Sequence, residues 1–366
     1  MKKKKIILTG GGTAGHVTPN IALLPHLIEG GYEVAYIGSF NGIEKELITE
    51  QKIAYFGISS GKLRRYFDLK NFTDPFRVVK GISEAKNILK TIKPDIVFSK
   101  GGFVAVPVVL AADRLKIPVI IHESDLTPGL ANRIAIPKAY KVCCNFPETL
   151  EYLPKDKAVL TGSPIRAELT RGDRDKGLSV CGFVGDKPVV MVIGGSSGAR
   201  SVNEAVREAL SELLEDFNVI HLCGPGMVDK DLEGTVGYRQ FEYVKTDLRH
   251  LFAAADIVVS RAGANAICEI LALRKPNILI PLPSTASRGD QILNAASFEK
   301  QGFSYVVSEE DEKHPFGAKA VLEAIRHVCE NADSYRGAMD LSPASDAAET
   351  IYTLINDTVE ARMNEK

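Results

Sequence analysis

Blocks of consecutive apolar residues recur along the chain, each short and each closed by glycine, proline or a polar group. They are residues 5–9 (KIILT), 33–37 (EVAYI), 95–99 (DIVFS) and 118–121 (PVII), then 189–193 (VVMVI), 218–223 (NVIHLC), 256–260 (DIVVS) and 277–282 (NILIPL). Runs that are apolar throughout, rather than alternating, predict strands buried on both faces. Helix-spaced segments fall between them. Over 18–29, Ile21, Leu24, Leu27 and Ile28 share one face. Asp74-Pro75 reads as a helix start, Asp as N-cap and Pro in the first turn, of a helix running to about Lys93. Residues 106–115 and 201–214 are further helices. The strand–helix alternation predicts parallel sheets with helices on both faces.

After about Ser163 the pattern starts again. Each half opens with an apolar strand, a glycine loop and a helix: IILTGGGTAGH at 6–16 and VVMVIGGSSGAR at 189–200. TGSPIR at 161–166 carries Gly and Pro between the halves and reads as the linker. The expected fold is α/β, with two doubly wound, Rossmann-like domains facing each other across a cleft. Both glycine loops would stand at the carboxyl ends of their strands, where open α/β sheets bind ligands. A last helix, roughly Ala344–Met363, follows Ser342-Pro343 and is long enough to return to the first domain.

A length of 366 residues suits two domains at roughly 100–200 residues each. The 45% apolar and 25% charged fractions exclude disorder, collagen and coiled coil. The net charge of −1 hides an asymmetry: residues 1–163 carry 23 basic and 15 acidic side chains, residues 164–366 carry 22 and 31. The basic half points to an anionic surface, although the run Lys2–Lys5 supplies half of its excess. The six cysteines form no C-x-x-C and fit a reduced, cytosolic compartment. No apolar run approaches the ~18 residues of a membrane span, and Ile6–Leu8 is too short for a signal peptide.

Candidate chemistry sits on the loops. Gly10, Gly12 and Gly15 match G-x-G-x-x-G. A dinucleotide fold would also need an acid about 20 positions on; Tyr36-Ile37-Gly38-Ser39 stands there, which argues against NAD. The loop still suits a phosphate, held by backbone N–H groups at a helix start, and His16 can face the same anion or a reacting hydroxyl. The loop at 194–200 repeats this with hydroxyls added. In SRAGANAICEI (260–270), Glu269 lies just over one turn into a helix and suits the vicinal hydroxyls of a ribose. Gln291 and Asn294 begin a later helix and could bind sugar hydroxyls. No metal site is apparent: Asp173-x-Asp175 lies in the hydrophilic stretch RGDRDKG and reads as a solvated loop. Segment 61–80 interleaves Lys62, Arg64, Arg65, Lys70, Arg77 and Lys80 with Leu63, Tyr66, Phe67, Leu69, Phe72 and Phe76. Such a patch suits an anionic membrane surface or nucleic acid, or is an ordinary loop burying its aromatics.

Taken together, these motifs resemble the MurG family of glycosyltransferases over essentially the whole chain. The residues that carry the resemblance are TGGGTAGHVTPNIAL at 9–23, KGGFVAVP at 100–107, HESDLTPGLAN at 122–132, TGSPIR at 161–166, GGSSGAR at 194–200, AGANAICE at 262–269 and GDQILNA at 289–295. The resemblance implies a GT-B fold and an inverting, UDP-N-acetylglucosamine-dependent hexosyltransferase. It would move N-acetylglucosamine to the C4 hydroxyl of undecaprenyl-diphospho-N-acetylmuramoyl-pentapeptide in peptidoglycan synthesis.

Residues 1–163, with the C-terminal helix at about 344–366, would form the acceptor-lipid and membrane-binding domain, and 164–343 the donor-binding domain. Thr13, Ala14, Gly15, Asp125, Arg166, Ser196, Ala264, Asn265, Ala266, Ile267, Cys268, Glu269, Gln291 and Asn294 would contact the donor. Lys62, Leu63, Arg64, Arg65, Phe67, Phe72 and Phe76 fall where the family has its membrane patch. The implied partners are the donor, the undecaprenyl-linked acceptor and the anionic membrane surface at the cytoplasmic face, with room for other cell-wall synthesis proteins. Neither cofactor, metal nor nucleic acid is expected. Three departures stand out: Asp125 where the family often has Asn, GGFVAVP for G-G-Y-V-S-G-P, and Ser197 where Gln is common. The acceptor hydroxyl has a high pKa and wants a general base; His16 is the first candidate and Glu123 the second. The helix start at 196–200, with Arg200, would stabilise the departing UDP without a metal. The rival readings are another glycolipid glycosyltransferase, a nicotinamide-dependent oxidoreductase and a non-catalytic sugar-nucleotide or membrane adaptor.

Overall fold

The computed structural model describes residues 3–61, 74–195, 198–286, 289–342 and 346–364. The chain divides into two units, Met1–Arg166 with Asp346–Lys366, and Ala167–Ser345. The strands of unit 1 are β1 (Lys5–Thr9), β2 (Glu33–Ser39), β3 (Ala54–Ile58), β4 (Ile96–Ser99), β5 (Val119–Glu123), β6 (Lys141–Cys144) and β7 (Ala158–Leu160). Those of unit 2 are β8 (Val189–Ile193), β9 (Asn218–Leu222), β10 (Tyr238–Phe241), β11 (Ile257–Ser260), β12 (Asn277–Leu279) and β13 (Tyr305–Val306). Both sheets are wholly parallel among these strands, in the orders β3-β2-β1-β4-β5-β6-β7 and β10-β9-β8-β11-β12-β13.

The helices of the first half are α1 (Thr18–Glu29), α2 (Ile43–Glu50), α3 (Asp74–Ile92), α4 (Ala105–Arg114) and α5 (Leu130–Ala135). They are followed by α6 (Arg174–Cys181), α7 (Arg200–Glu208), α8 (Leu210–Asp216), α9 (Leu248–Ala254), α10 (Ala264–Ala272), α11 (Asp290–Lys300), α12 (Ala318–Glu330), α13 (Ala332–Asp340) and α14 (Ala347–Asn364).

The apolar strand runs follow from burial on both faces. In unit 1, Ile7, Ile37, Val97 and Ile121 join one core with α3 and α4, while Ile6, Leu8, Tyr36 and Phe98 join a second with α1. Unit 2 is built the same way, with two cores on opposite faces of its sheet. The chain's end closes the second core of unit 1: Ile351, Ile355 and Val359, spaced four apart along α14, pack with Ile6 and Leu8. Lys4 reinforces the seat, its Nζ donating to Asn356 Oδ1 (2.7 Å) and Glu360 Oε1 (2.9 Å).

Several elements differ from the sequence reading. The strand expected at 118–121 runs on through His122 and Glu123. The single helix expected at 201–214 is two, α7 and α8, parted at Ala209, where ψ opens to −2°. RGDRDKG is a helix start rather than a loop: Asp173 caps α6, its side chain accepting from the Lys176 N–H at 3.0 Å. Strands β3, β7, β10 and β13 lie at sheet margins, and β6 beside one. Half-exposed positions there interrupt the apolar run that marks a central strand.

Candidate functional site

In unit 1 the strand order reverses between β1 and β4, and an open α/β sheet forms its ligand crevice at such a switch point. The loops leaving these two strands, at 10–16 and 100–104, therefore lie side by side. Their fit is close. Gly102 has φ +81°, and a Cβ there would stand 2.3 Å from the Gly11 carbonyl oxygen and 3.2 Å from His16 Cδ2. Thr13 is exposed and extended, and Ala14–His16 form one 3-10 turn before α1.

The half-buried His16 ring hydrogen-bonds the Lys100 backbone, while Nδ1 has no partner among the described residues. Burial first, and then the Lys100 charge, lower its pKa to about 4. His16 is therefore neutral near pH 7, with a lone pair to offer.

Three buried side chains brace these loops. Glu44, in the first turn of α2, accepts from the Gly12 N–H (3.2 Å), the Ser39 N–H (3.0 Å) and the Ser39 hydroxyl (2.5 Å). Lys100 Nζ donates to His122 Nδ1 (2.8 Å) and to Ser124 Oγ. His122 in turn donates Nε2–H to the Gly162 carbonyl at 2.8 Å, tying β5 to the segment that leaves unit 1. Burial and the Lys100 charge hold His122 well below the usual histidine range. None of these bracing roles was read from the sequence. The signal for Glu44 was an acid in a helix's first turn directly after a glycine.

Glu123 is buried, and both its oxygens are engaged. Oε1 accepts from the N–H groups of Ser124 (2.8 Å) and Asp125 (3.0 Å); Oε2 accepts from the Gly129 N–H (3.0 Å) and Asn132 Nδ2 (2.9 Å). Burial raises its pKa and these donors oppose the rise. Its carboxylate shapes the 124–129 loop, on which Asp125 is half-buried.

Beside the glycine loop, still within unit 1, is a pocket of about 900 Å³, lined by Gly12 and Thr13, the β2–α2 turn at Phe40, the end of β3 at Ser59, and Arg77 and Lys80 of α3. From the same helix Phe76 is 78% exposed and Val79 67%. Lys62, Leu63, Arg64, Arg65, Phe67 and Phe72 lie outside the described residues.

Unit 2 repeats the arrangement between β8 and β11. Ser196 lies outside the described residues. Gly198, at φ +76°, has no room for a Cβ, which would meet the Cys223 carbonyl oxygen at 2.3 Å. Asn203 fixes that neighbour: Nδ2 donates to the Cys223 carbonyl (2.9 Å) and Oδ1 accepts from His221 Nε2 (3.0 Å). After β11, Arg261 Nη1 donates to the carbonyls of Ile280 (3.1 Å) and Pro281 (3.3 Å). Its Nη2 reaches Ser201 Oγ (3.0 Å) and pairs with Glu309 (3.1 Å).

Gly263 then starts α10. Ala264, Asn265, Ala266 and Glu269 are half-buried, whereas the side chains of Ile267 and Cys268 belong to the interior, leaving them only backbone to offer a ligand. Gln291 Oε1 accepts from the Leu282 N–H at 3.2 Å. Asn294 is buried, its Nδ2 donating to the Ala262 carbonyl (3.2 Å), with Oδ1 lacking a partner among the described residues. The ends of β11 and β12 and the start of α11 thus converge. Arg166, where the first segment of unit 1 ends, is half-buried, and Arg200 is exposed.

Comparison with known proteins adds three findings. The model of the glycosyltransferase family 28 N-terminal domain matches residues 6–144, and that of its C-terminal domain matches residues 189–351. A Lachnoclostridium phytofermentans protein named UDP-N-acetylglucosamine--N-acetylmuramyl-(pentapeptide) pyrophosphoryl-undecaprenol N-acetylglucosamine transferase is 64% identical over 97% of this chain and 99% of its own. A protein of the same name from Clostridium tetani is 58% identical over 96% and 98%. Among solved structures, Acinetobacter baumannii MurG aligns with TM-score 0.73 at 24% identity, covering 97% of this chain and 99% of its own. A Neisseria meningitidis UDP-GlcNAc 2-epimerase aligns with TM-score 0.67 at 16% identity over 97% and 100%, a likeness of fold.

Proposed function

The chain belongs to glycosyltransferase family 28, and from that premise we infer that it transfers N-acetylglucosamine from UDP-N-acetylglucosamine to N-acetylmuramyl-(pentapeptide) pyrophosphoryl-undecaprenol. The observation that carries this is 64% identity over 97% of the chain with a relative bearing that name.

We propose that unit 2 binds the donor, with Glu269 on the ribose hydroxyls, Ser196 and the backbone from Ala264 to Glu269 on the nucleotide diphosphate, and Gln291 on the sugar. Asn294, bonded to the Ala262 carbonyl, acts as a positioning residue for that loop. Arg166, Thr13, Ala14, Gly15 and Asp125 complete the donor contacts in this reading.

Unit 1 binds the acceptor. Neutral His16 takes the proton of the attacking hydroxyl. The diphosphates of both substrates favour the imidazolium that results, so a histidine depressed to about 4 in the free protein becomes a better base when they bind. Direct attack at the anomeric carbon breaks the bond to UDP and inverts its configuration. Glu123, with four donors on its carboxylate, holds the 124–129 loop rather than serving as base.

The acceptor is a membrane lipid, so the protein works at a membrane surface, which we take to be the cytoplasmic one. No helix among the described residues is long and apolar enough to cross a membrane. Exposed Phe76 and Val79 on α3, which follows the basic run 62–70 in sequence, support contact through unit 1. The direct test is transfer of radiolabelled sugar from UDP-N-acetylglucosamine to a short-chain analogue of the lipid acceptor. Label in the lipid product supports the reading; UDP-dependent label confined to free sugar overturns it.

A further inference from the structure

The chemistry above leaves the large pocket of unit 1 without a ligand. Resting on the acceptor reading just given, we propose that this pocket seats the acceptor's pentapeptide, with Arg77 and Lys80 meeting its carboxylate.

Position is the first argument. The pocket is lined by Gly12 and Thr13 of the loop that carries His16. A ligand there is continuous with the sugar whose hydroxyl reacts.

Charge is the second. Among the described residues of the lining the ionisable side chains are Arg77 and Lys80, both cationic. Among the described residues, Glu84 accepts from the Ser59 N–H at 2.6 Å and lies 3.8 Å from Lys80, and Glu44 is turned to Gly12 and Ser39. The described lining therefore presents two cations, one of them shared with Glu84. A pentapeptide joined to muramic acid through its amino end carries a free carboxylate at the other.

Size and mixed character decide between anions. About 900 Å³ is at the upper end of drug-sized pockets, and a diphosphate alone would fill little of it. Phe40, Ile58 and Phe103 offer apolar surface, while Ser39, Asn41 and Ser59 offer hydrogen bonds. A prenyl chain would use only the first set and a diphosphate only the second; a peptide uses both. Five extended residues reach ~17 Å, so the stem can lie along the wall.

The backbone that carries the cations is also held in place. A Cβ on Gly81 would stand 2.0 Å from the Ser59 carbonyl oxygen, so α3 sits directly on the end of β3 one residue beyond Lys80.

The test uses two soluble short-chain muramyl diphosphate acceptors without vesicles, one with the full pentapeptide and one with its first residue only. The expected result is that the kcat/KM preference for the full stem falls about tenfold in Arg77→Gln/Lys80→Gln, the scale of one charged hydrogen bond, and that the fall lies in KM. Asn41→Trp, which fills the pocket without altering its charge, should lower the same ratio. A ratio that survives in either variant overturns the assignment. An equal loss on both acceptors moves the cations to the diphosphate or lipid and likewise overturns it. A parent protein that transfers to neither acceptor fails the functional reading itself, and the pocket's occupant falls with it.

Discussion

At the residue scale, His16 and Glu123 are told apart by what their lone pairs already do. His16 Nδ1 has no partner among the described residues, and the ring's pKa is lowered to about 4. Its neutral form persists as pH falls until that value. The acid limb of kcat/KM, which reports the free protein, is therefore expected near pH 4 rather than near the ordinary histidine value. His16→Ala should cost about 10²–10⁴ in kcat with UDP affinity little altered; a loss confined to donor affinity would make it a phosphate contact instead. Glu123→Gln replaces a four-fold acceptor with a group that can accept at only one end. The expected cost is about 1–3 kcal/mol of stability, the penalty for buried donors left unsatisfied, read as a lowered denaturation midpoint. A fall in kcat with an unchanged midpoint would restore Glu123 as a base.

At the element scale, the two loops at the switch point of unit 1 approach so closely that Gly102 has no room for a side chain. A Cβ on Gly102, at positive φ, would meet both Gly11 and His16. Gly102→Ala should cost about 1–3 kcal/mol in strain and lower kcat more than donor affinity, because it moves His16. Unchanged kcat would mean that the two loops act independently.

The central strands and both glycine loops were legible, because burial on two faces leaves a continuous apolar run and a sharp exit leaves glycine. The marginal strands were not, since one exposed edge breaks that run. Nor were Glu44, Lys100 or the Arg261–Glu309 pair. Apart from Ser39, close before Glu44, their partners lie far away in the sequence, where no local spacing marks a contact. Ile267 and Cys268 show the converse. They belong to a recognisable motif, yet their side chains face the interior.

At the scale of the whole molecule, the excess of basic groups in residues 1–163 and exposed Phe76 support the proposed membrane encounter on unit 1. Each Lys or Arg near an anionic surface contributes about 1 kcal/mol. Vesicle binding should therefore weaken with salt and in a Lys62/Arg64/Arg65→Ser variant, measured by co-sedimentation; equal binding by variant and parent would reduce the segment to an ordinary solvated loop.

In the proposed reaction the transfer is direct: a neutral histidine accepts the proton and UDP departs from the opposite face. The measurement that meets it most squarely is the anomeric configuration of the new glycosidic bond, read by proton NMR of the product formed from UDP-α-N-acetylglucosamine and a soluble muramyl diphosphate acceptor. The expected product is a single β-linked disaccharide, with one UDP released for each bond formed. An α-linked product, or release of UDP with free N-acetylglucosamine and no disaccharide, would contradict it.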